Sequence, residues 1–443
     1  MFVYDRKLIT EKWSNLTDKN GNVSKLAIGN IEDPYVKEVT AVLLENQRTQ
    51  YQNIATQADP FLLFEASQAS NTLATVGGNT NGVASTSSYQ FQPISIALTR
   101  RAMPELFAHK VVGVQPMSTP VGLAYALRKI YASNNTDNIE AGWDNIPEWA
   151  GYTGSTVGTS AILDNTIDGI YDTSATGANA TSAEAWDIGL SGSYPQIKVK
   201  VDMVNIVATT RKLATSYSLE SQMDLKTMLG VELEKEMVDF LQYELVAELD
   251  RELLYRMKKA ATDTTKGGAL ISSVNVSGTA IDGRWSQEKF SNIINAIVHQ
   301  SNVIATATRE GAGNFVVVSP TVATVLQSAP AGVFTRNTSI IDATRAGVAE
   351  IGSINGGTIK VYRDSQARGD FALVGFKGAM PTQSGIIYSP YLLGLTSRAI
   401  SQEDFSPRIG TMMRGAITDT ILGSGRYYRL IPFTNLSSII VTA

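Results

Sequence analysis

The chain has 443 residues, no cysteine, 43% hydrophobic and 18% charged residues, and a formal net charge of −4. The missing cysteines exclude disulfides, thiolate metal sites and cysteine nucleophiles, and the near balance of charge gives no electrostatic case for a protein that coats nucleic acid. The length allows about two to three domains around a sizeable core. The start, MFVYDRKLITEKW, places charges where a signal peptide has its apolar centre, and no run reaches membrane-spanning length. An intracellular, unexported product with no membrane partner is therefore expected.

Between Asp33 and Gln52 the residues Tyr35, Val36, Val39, Val42 and Leu43 share one helical face, with Asp33 placed as N-cap and Pro34 at the first helical position. Asp59-Pro60 closes that segment ahead of Phe61-Leu62-Leu63-Phe64. After Glu65 the composition changes. Ala66 to Thr99 carries no charged residue and is rich in Ser, Thr, Asn, Gly and Gln, which predicts an extended arm or a flexible linker. Arg100 to Tyr131 reads as globular sequence cut into short pieces by Pro104, Pro116 and Pro120. Between Lys129 and Lys198 there is no basic residue but nine acidic ones: Asp137, Glu140, Asp144, Glu148, Asp164, Asp168, Asp172, Glu184 and Asp187. That stretch predicts an extended loop or inserted hairpin whose acids meet water or the bases of another subunit.

Ile197, Val199, Val201 and Met203 alternate with Lys198, Lys200 and Asp202, the pattern of a half-buried strand. It leads to the most regular stretch of the chain, Gln222 to Lys259. There Leu229, Leu233, Met237, Leu241, Leu245, Leu249, Leu253 and Met257 recur every fourth position, a helical period. As one helix it would be about 57 Å long. Four residues overshoot a turn by about 40°, so successive turns bury against different partners. Gly230 is the expected break or kink, and Gly267-Gly268 the end of the helical region. A second amphipathic helix begins near Ser286, read as its N-cap, with Phe290, Ile293, Ile294, Ile297 and Val298 on its apolar face. Phe315 to Val318 reads as a buried strand, followed by a helix opened by Ser319-Pro320. Strands near Ile359 to Tyr362, Phe371 to Phe376, Ile386 to Tyr388 and Tyr427 to Ile431 complete the pattern. Strands mixed with helices, without a βαβ repeat, indicate the α+β class.

No residues gather for chemistry. His109 and His299 have no ligand or acid at motif spacing, and neither a Gly-x-Ser-x-Gly elbow nor a Walker loop occurs. Gly311-x-Gly313 precedes a strand where a dinucleotide fingerprint follows one. Asp164, Asp168 and Asp172 have the spacing of part of a calcium loop, but position 166 is Thr and the closing Glu is missing. No catalytic residue, cofactor or metal site is expected.

Several blocks do look familiar. Arg100-Arg101-Ala102-Met103-Pro104, Gly113-Val114-Gln115-Pro116-Met117 and Pro120-x-Gly122 resemble the major capsid proteins of T-even-like tailed phages. So do Ala41-Val42-Leu43-Leu44-Glu45-Asn46-Gln47, Gly313-Asn314-Phe315, Val374-Gly375-Phe376-Lys377-Gly378 and Ile387-Tyr388-Ser389-Pro390-Tyr391. Residues 133–194 fall outside the resemblance, where T-even-like proteins carry a longer inserted domain.

The resemblance implies the Hong Kong 97-type capsid fold. On that template residues 1–65 are a precursor segment, 66–99 the N-terminal arm, and 100–132 the first part of a peripheral domain. Residues 133–196 are the extended loop with a short insertion, 197–263 the peripheral domain with its spine helix, 264–395 the axial domain, and 396–443 the return to the peripheral domain. It implies a major capsid protein forming hexamers in an icosahedral or prolate head, with a pentamer-forming vertex protein of the same fold as the alternative. The implied partners are further copies of the chain, the vertex capsid protein, an internal scaffold and the prohead protease. The shell would enclose double-stranded DNA without binding it specifically. The implied location is the virion capsid, and the host cytoplasm during assembly. Family precursors are cut after Leu/Ile-x-Glu, and Leu63-Phe64-Glu65 followed by Ala66 matches that pattern.

Overall fold

The computed structural model describes residues 6–17, 31, 33–57, 106–132, 196–230, 233–275, 286–308, 310–329, 333–336, 348–380, 383–400, 406–421, 423–434 and 436. Helices α1 (Arg6–Thr17) and α2 (Pro34–Gln57) come first. Asp33 caps α2 as its sequence position predicts, its Oδ1 accepting from the Tyr35 amide at 2.9 Å. A single turn, α3 (Ala108–Val111), leads to β1 (Gly113–Val114). Two long strands, β2 (Val121–Ala132) and β3 (Gln196–Val207), pair antiparallel with each other alone, as a two-stranded ribbon.

The two sheets divide the rest. A four-stranded sheet runs in the order β1, β11 (Ile386–Ile400), β12 (Pro407–Asp419), β4 (Thr209–Ser216). The seven-stranded sheet starts with β5 (Val274–Asn275), β13 (Tyr428–Thr434), β10 (Phe371–Gly375) and β6 (Phe315–Val318). It ends with β9 (Ile359–Asp364), β8 (Val348–Ile354) and β7 (Phe334–Arg336). Both are mixed: β1 with β11, β13 with β5 and β6 with β9 run parallel, and the other pairs antiparallel. The α+β expectation holds.

The long helical stretch breaks at Gly230, as expected, into two helices. Helix α4 (Leu219–Leu229) stops at Gly230, whose φ of 68° is left-handed and whose amide closes on the Lys226 carbonyl at 3.2 Å. Helix α5 (Leu233–Thr262) has 30 residues, about 45 Å at 1.5 Å per residue. The four-residue row is buried from Leu241 through Leu245, Leu249 and Leu253 to Met257, while Leu229 stays exposed because α4 buries nothing. The drift of that row is resolved as its spacing demands. Val238 meets Ile409 of β12, and the turns from Leu245 to Ala261 join one cluster holding Tyr388 and Met413 of the four-stranded sheet and Phe371, Leu373 and Tyr428 of the seven-stranded one. Each such leucine, taken fully out of water, contributes about 2 kcal/mol.

On the far face of the seven-stranded sheet lie α6 (Ser286–Thr308) and α7 (Pro320–Gln327). Ile293, Ile294, Ile297 and Ile304 pack there against Val316, Val361, Ala372 and Ile431. Ser286, expected as a cap, is the first helical residue, whereas Ser319 stands at the N-cap of α7 and Pro320 in its first turn, as expected. One further reading needs correction. The alternating strand from Ile197 is present, but Val199, Val201 and Met203 on its apolar side are exposed. Residues 395 and 396 both lie in β11, and residues 428–434 share a sheet with strands between 315 and 375.

Candidate assembly surfaces

The ribbon is the first surface. Directly opposite residues of an antiparallel pair point to the same side, and the register sets Val121 against Val207 and Tyr125 against Met203. Leu123 and, on the partner strand, Val201 and Val199 continue that face by alternation. All seven are exposed, Val199 at 62% and Met203 at 64%. Lys198, Lys200 and Asp202 occupy the other side, with Lys200 Nζ 3.6 Å from Asp202 Oδ1. At its root the ribbon packs on the body through this second side: Ile206, with Ala208 beyond the strand, meets Met117, Tyr391, Leu392 and Ala416. Exposed apolar residues grouped in this way make the face a candidate contact for another chain.

The second surface is the outer side of α4 and α5. Met223, Met228 and Leu229 on α4, and Phe240, Tyr243 and Tyr255 on α5, are exposed. The inner side of α5 is tied to both sheets. Arg251 holds Asp364 at the end of β9, while Glu252 bridges Arg256, at 2.9 Å, and Arg211 of β4. Arg256 Nη1 also donates to the Ile417 carbonyl of β12 at 2.9 Å.

The third is the seat of α2. Asn46 Nδ2 donates to the carbonyls of Met117 at 2.6 Å and Tyr391 at 3.1 Å, Gln47 Nε2 to that of Leu393, and Gln50 Nε2 to Tyr391 Oη at 2.6 Å. Tyr391 and Leu393 lie where the β11–β12 register is interrupted, so their carbonyls are turned toward the helix. Helix α1 closes over the outside: Lys12 Nζ and Trp13 Nε1 both reach Glu45, at 2.8 and 2.9 Å, and Ile9 packs on Ala41 and Val42.

The familiar sequence blocks meet in space. Gly113 and Val114 pair with Ile387 and Tyr388, Met117 donates its amide to the Pro390 carbonyl, and Asn46 bridges both segments. Likewise the Asn314 side chain donates to the Lys377 carbonyl at 2.6 Å and accepts from the Lys377 amide at 3.0 Å. Gly375 is required because the Phe315 ring opposite stands 2.3 Å from where a Cβ would be. Burial lowers the pKa of Lys377 to about 8 against the pull of Asp33, and its Nζ donates to the His109 carbonyl.

Leu63, Glu65 and Ala66, the expected processing residues, lie outside the described residues, as do the arm at 66–99 and the nine acids of the basic-free stretch. His299 is exposed on α6 and is not brought to His109. Among the described residues no three metal-binding side chains converge. The sequence reading missed Asn46 and Gln47 as buried ties. Their signal was two amides placed beside the apolar row Leu43-Leu44.

A tile with two uncovered apolar faces invites comparison with shell proteins, and the family model of the Gp23 major capsid protein matches residues 88–431. The chain belongs to the Gp23 major capsid protein family. Similar chains include the major capsid protein of Vibrio phage KVP40, 25% identical over 477 aligned residues that cover 92% of this chain and 91% of that one. That of Enterobacteria phage T4 is 26% identical, with 86% of each chain covered, and that of Salmonella phage ViI is 28% identical, with 74% and 77% covered. Among solved structures, that of Microbacterium phage Oxtober96 matches at a TM-score of 0.42 with 12% identity, over 74% of this chain and 91% of that chain. The capsid of Myoviridae Phage XM1 matches at 0.39 with 12% identity, over 74% and 91%. As a Gp23 family member the chain is a structural component of the phage head, located in the virion capsid and built into a lattice of its own copies.

Proposed function

We propose that this Gp23 family chain forms hexamers in an icosahedral or prolate head that encloses phage DNA, and that N-terminal proteolysis matures it. The observation that carries the reading is the ribbon: seven exposed apolar side chains on one face have no place in a solitary globule. A neighbour's exposed α4–α5 surface, with Met223, Phe240 and Tyr243, is the complementary cover. Each contact is modest and symmetry multiplies it. A match to the major capsid protein family supports the hexamer former over a vertex pentamer.

On this reading the ribbon, with residues 133–195 between its strands, is the extended loop of a Hong Kong 97-type tile. Helix α5 with the four-stranded sheet is the peripheral domain, and the seven-stranded sheet the axial domain. Residues 1–65 are the precursor segment, held to an internal scaffold, and the prohead protease cuts between Glu65 and Ala66. Residues 66–99 then serve as an arm that clamps neighbours, the vertex protein closes the corners, and packed DNA meets a lining of low net charge. Glu65→Gln in infected cells tests the cut: proheads form and the chain keeps its full length, whereas normal processing of the variant refutes the site. Electron microscopy of the purified chain tests the assembly. Shells, tubes or hexagonal sheets are expected, and particles that stay single at every concentration overturn it.

A further inference from the structure

We infer that residues 33–57 remain seated on the body after the backbone is cut behind them, so that departure of this helix, and not the cut itself, opens the groove beneath it. The inference rests on the reading of residues 1–65 as a removable segment and asks what removal has to overcome.

Helix α2 is built into the core. Val39 and Leu43 belong to the main apolar cluster with Leu106, Phe107, Val114 and Leu393. Thr40, Leu44, Asn46 and Gln47 are buried as well. The Asn46 and Gln47 amides satisfy the carbonyls of Met117, Tyr391 and Leu393, two of which come from the interrupted stretch of β11. Stripping the helix would leave these acceptors and a strip of apolar surface uncovered together, which is costly in both terms. Helix α1 braces α2 through Glu45, so the segment leaves as a hairpin or not at all. The groove is thus a helix-binding site whose ligand is the chain's own amphipathic segment carrying an adjacent Asn-Gln pair. Cutting the chain removes only the high effective concentration that the covalent link provides.

The test uses the full-length chain with a site-specific protease sequence in place of residues 59–65, nicked in dilute buffer and passed over a sizing column. The N-terminal fragment is expected to co-elute with the remainder. Its separation on the first passage overturns the inference. Asn46→Ala with Gln47→Ala is expected to shed the fragment at least tenfold faster, while the uncut variant elutes and melts as a folded chain. Should that pair not fold, Gln50→Ala, which loses only the bond to Tyr391 Oη, takes its place with a severalfold faster release. An unchanged release rate in a folded variant also overturns the inference. Because the cut is made by an unrelated protease, the result stands apart from whether Glu65 is the natural site, which only the infected-cell experiment decides.

Discussion

Arg251 grips Asp364 with both arms of its guanidinium, Nη2 to Oδ1 at 2.9 Å and Nη1 to Oδ2 at 3.2 Å, at a carboxylate only 1% exposed. The pair joins the middle of α5 to the end of β9 and so fixes the long helix to the seven-stranded sheet. Arg251→Met removes the bidentate partner of a buried carboxylate and leaves Lys258 as the nearby cation. A loss of about 3–5 kcal/mol is expected in urea unfolding, and a loss below about 1 kcal/mol would show that the remaining amide donor from Gln366, at 3.1 Å, suffices.

Two glycines separate backbone conformation from space. At Gly230 a side chain would meet nothing within 4 Å, but φ is +68°, so Gly230→Ala costs about 1 kcal/mol through the left-handed conformation alone. At Gly375 the Phe315 ring occupies the site, so Gly375→Ala forces the strands apart and costs about 1–3 kcal/mol. Thermal melts of the two variants side by side check the order.

Stability should rise and then fall in alkaline solution. Burial lowers Lys377 from 10.5 to about 8, so between those values the unfolded chain binds more protons than the folded one and stability climbs with pH. Lys377 by itself contributes about 2 kcal/mol between pH 8 and 10, and the tyrosines cancel much of it as pH 10 is approached. Tyr362, Tyr388, Tyr427 and Tyr428 are each pushed above 10.0 by burial. The unfolded tyrosines begin to ionise about one unit below pH 10, so stability passes its maximum between about pH 9 and 9.5 and then drops. Lys377→Met should remove most of the climb and keep the fall, read as the unfolding midpoint against pH.

Charging the ribbon should separate folding from assembly. Tyr125→Glu with Met203→Glu places two like charges opposite each other on an uncovered face, at a cost of roughly 0.5–1 kcal/mol to the chain itself. Shell or sheet formation is expected to be lost, and sedimentation of the variant beside the parent chain reads both effects. A variant that still assembles would show that this face is not a contact.

The parts of the fold legible in the sequence are those fixed by short-range physics. Asp33-Pro34 opens a helix, the four-residue leucine row makes α5, and Gly230 ends α4, because caps, period and left-handed φ are local. Whether a face is covered is decided elsewhere, which is why Val199, Val201 and Met203 read as half-buried although they are exposed. Sheet membership was invisible for a related reason: it is set by pairing between segments as distant as Leu373 and Leu430. Asn46 and Gln47 escaped notice because their partners are carbonyls, which every residue has.

The ribbon is apolar on one side and carries Lys198, Lys200 and Asp202 on the other. A neighbour can therefore lie against it from a single direction. If the ribbon is the contact proposed above, tiles added in succession all keep the same orientation, and a sheet of them has a distinguishable inside and outside before any template or cargo tells it which is which.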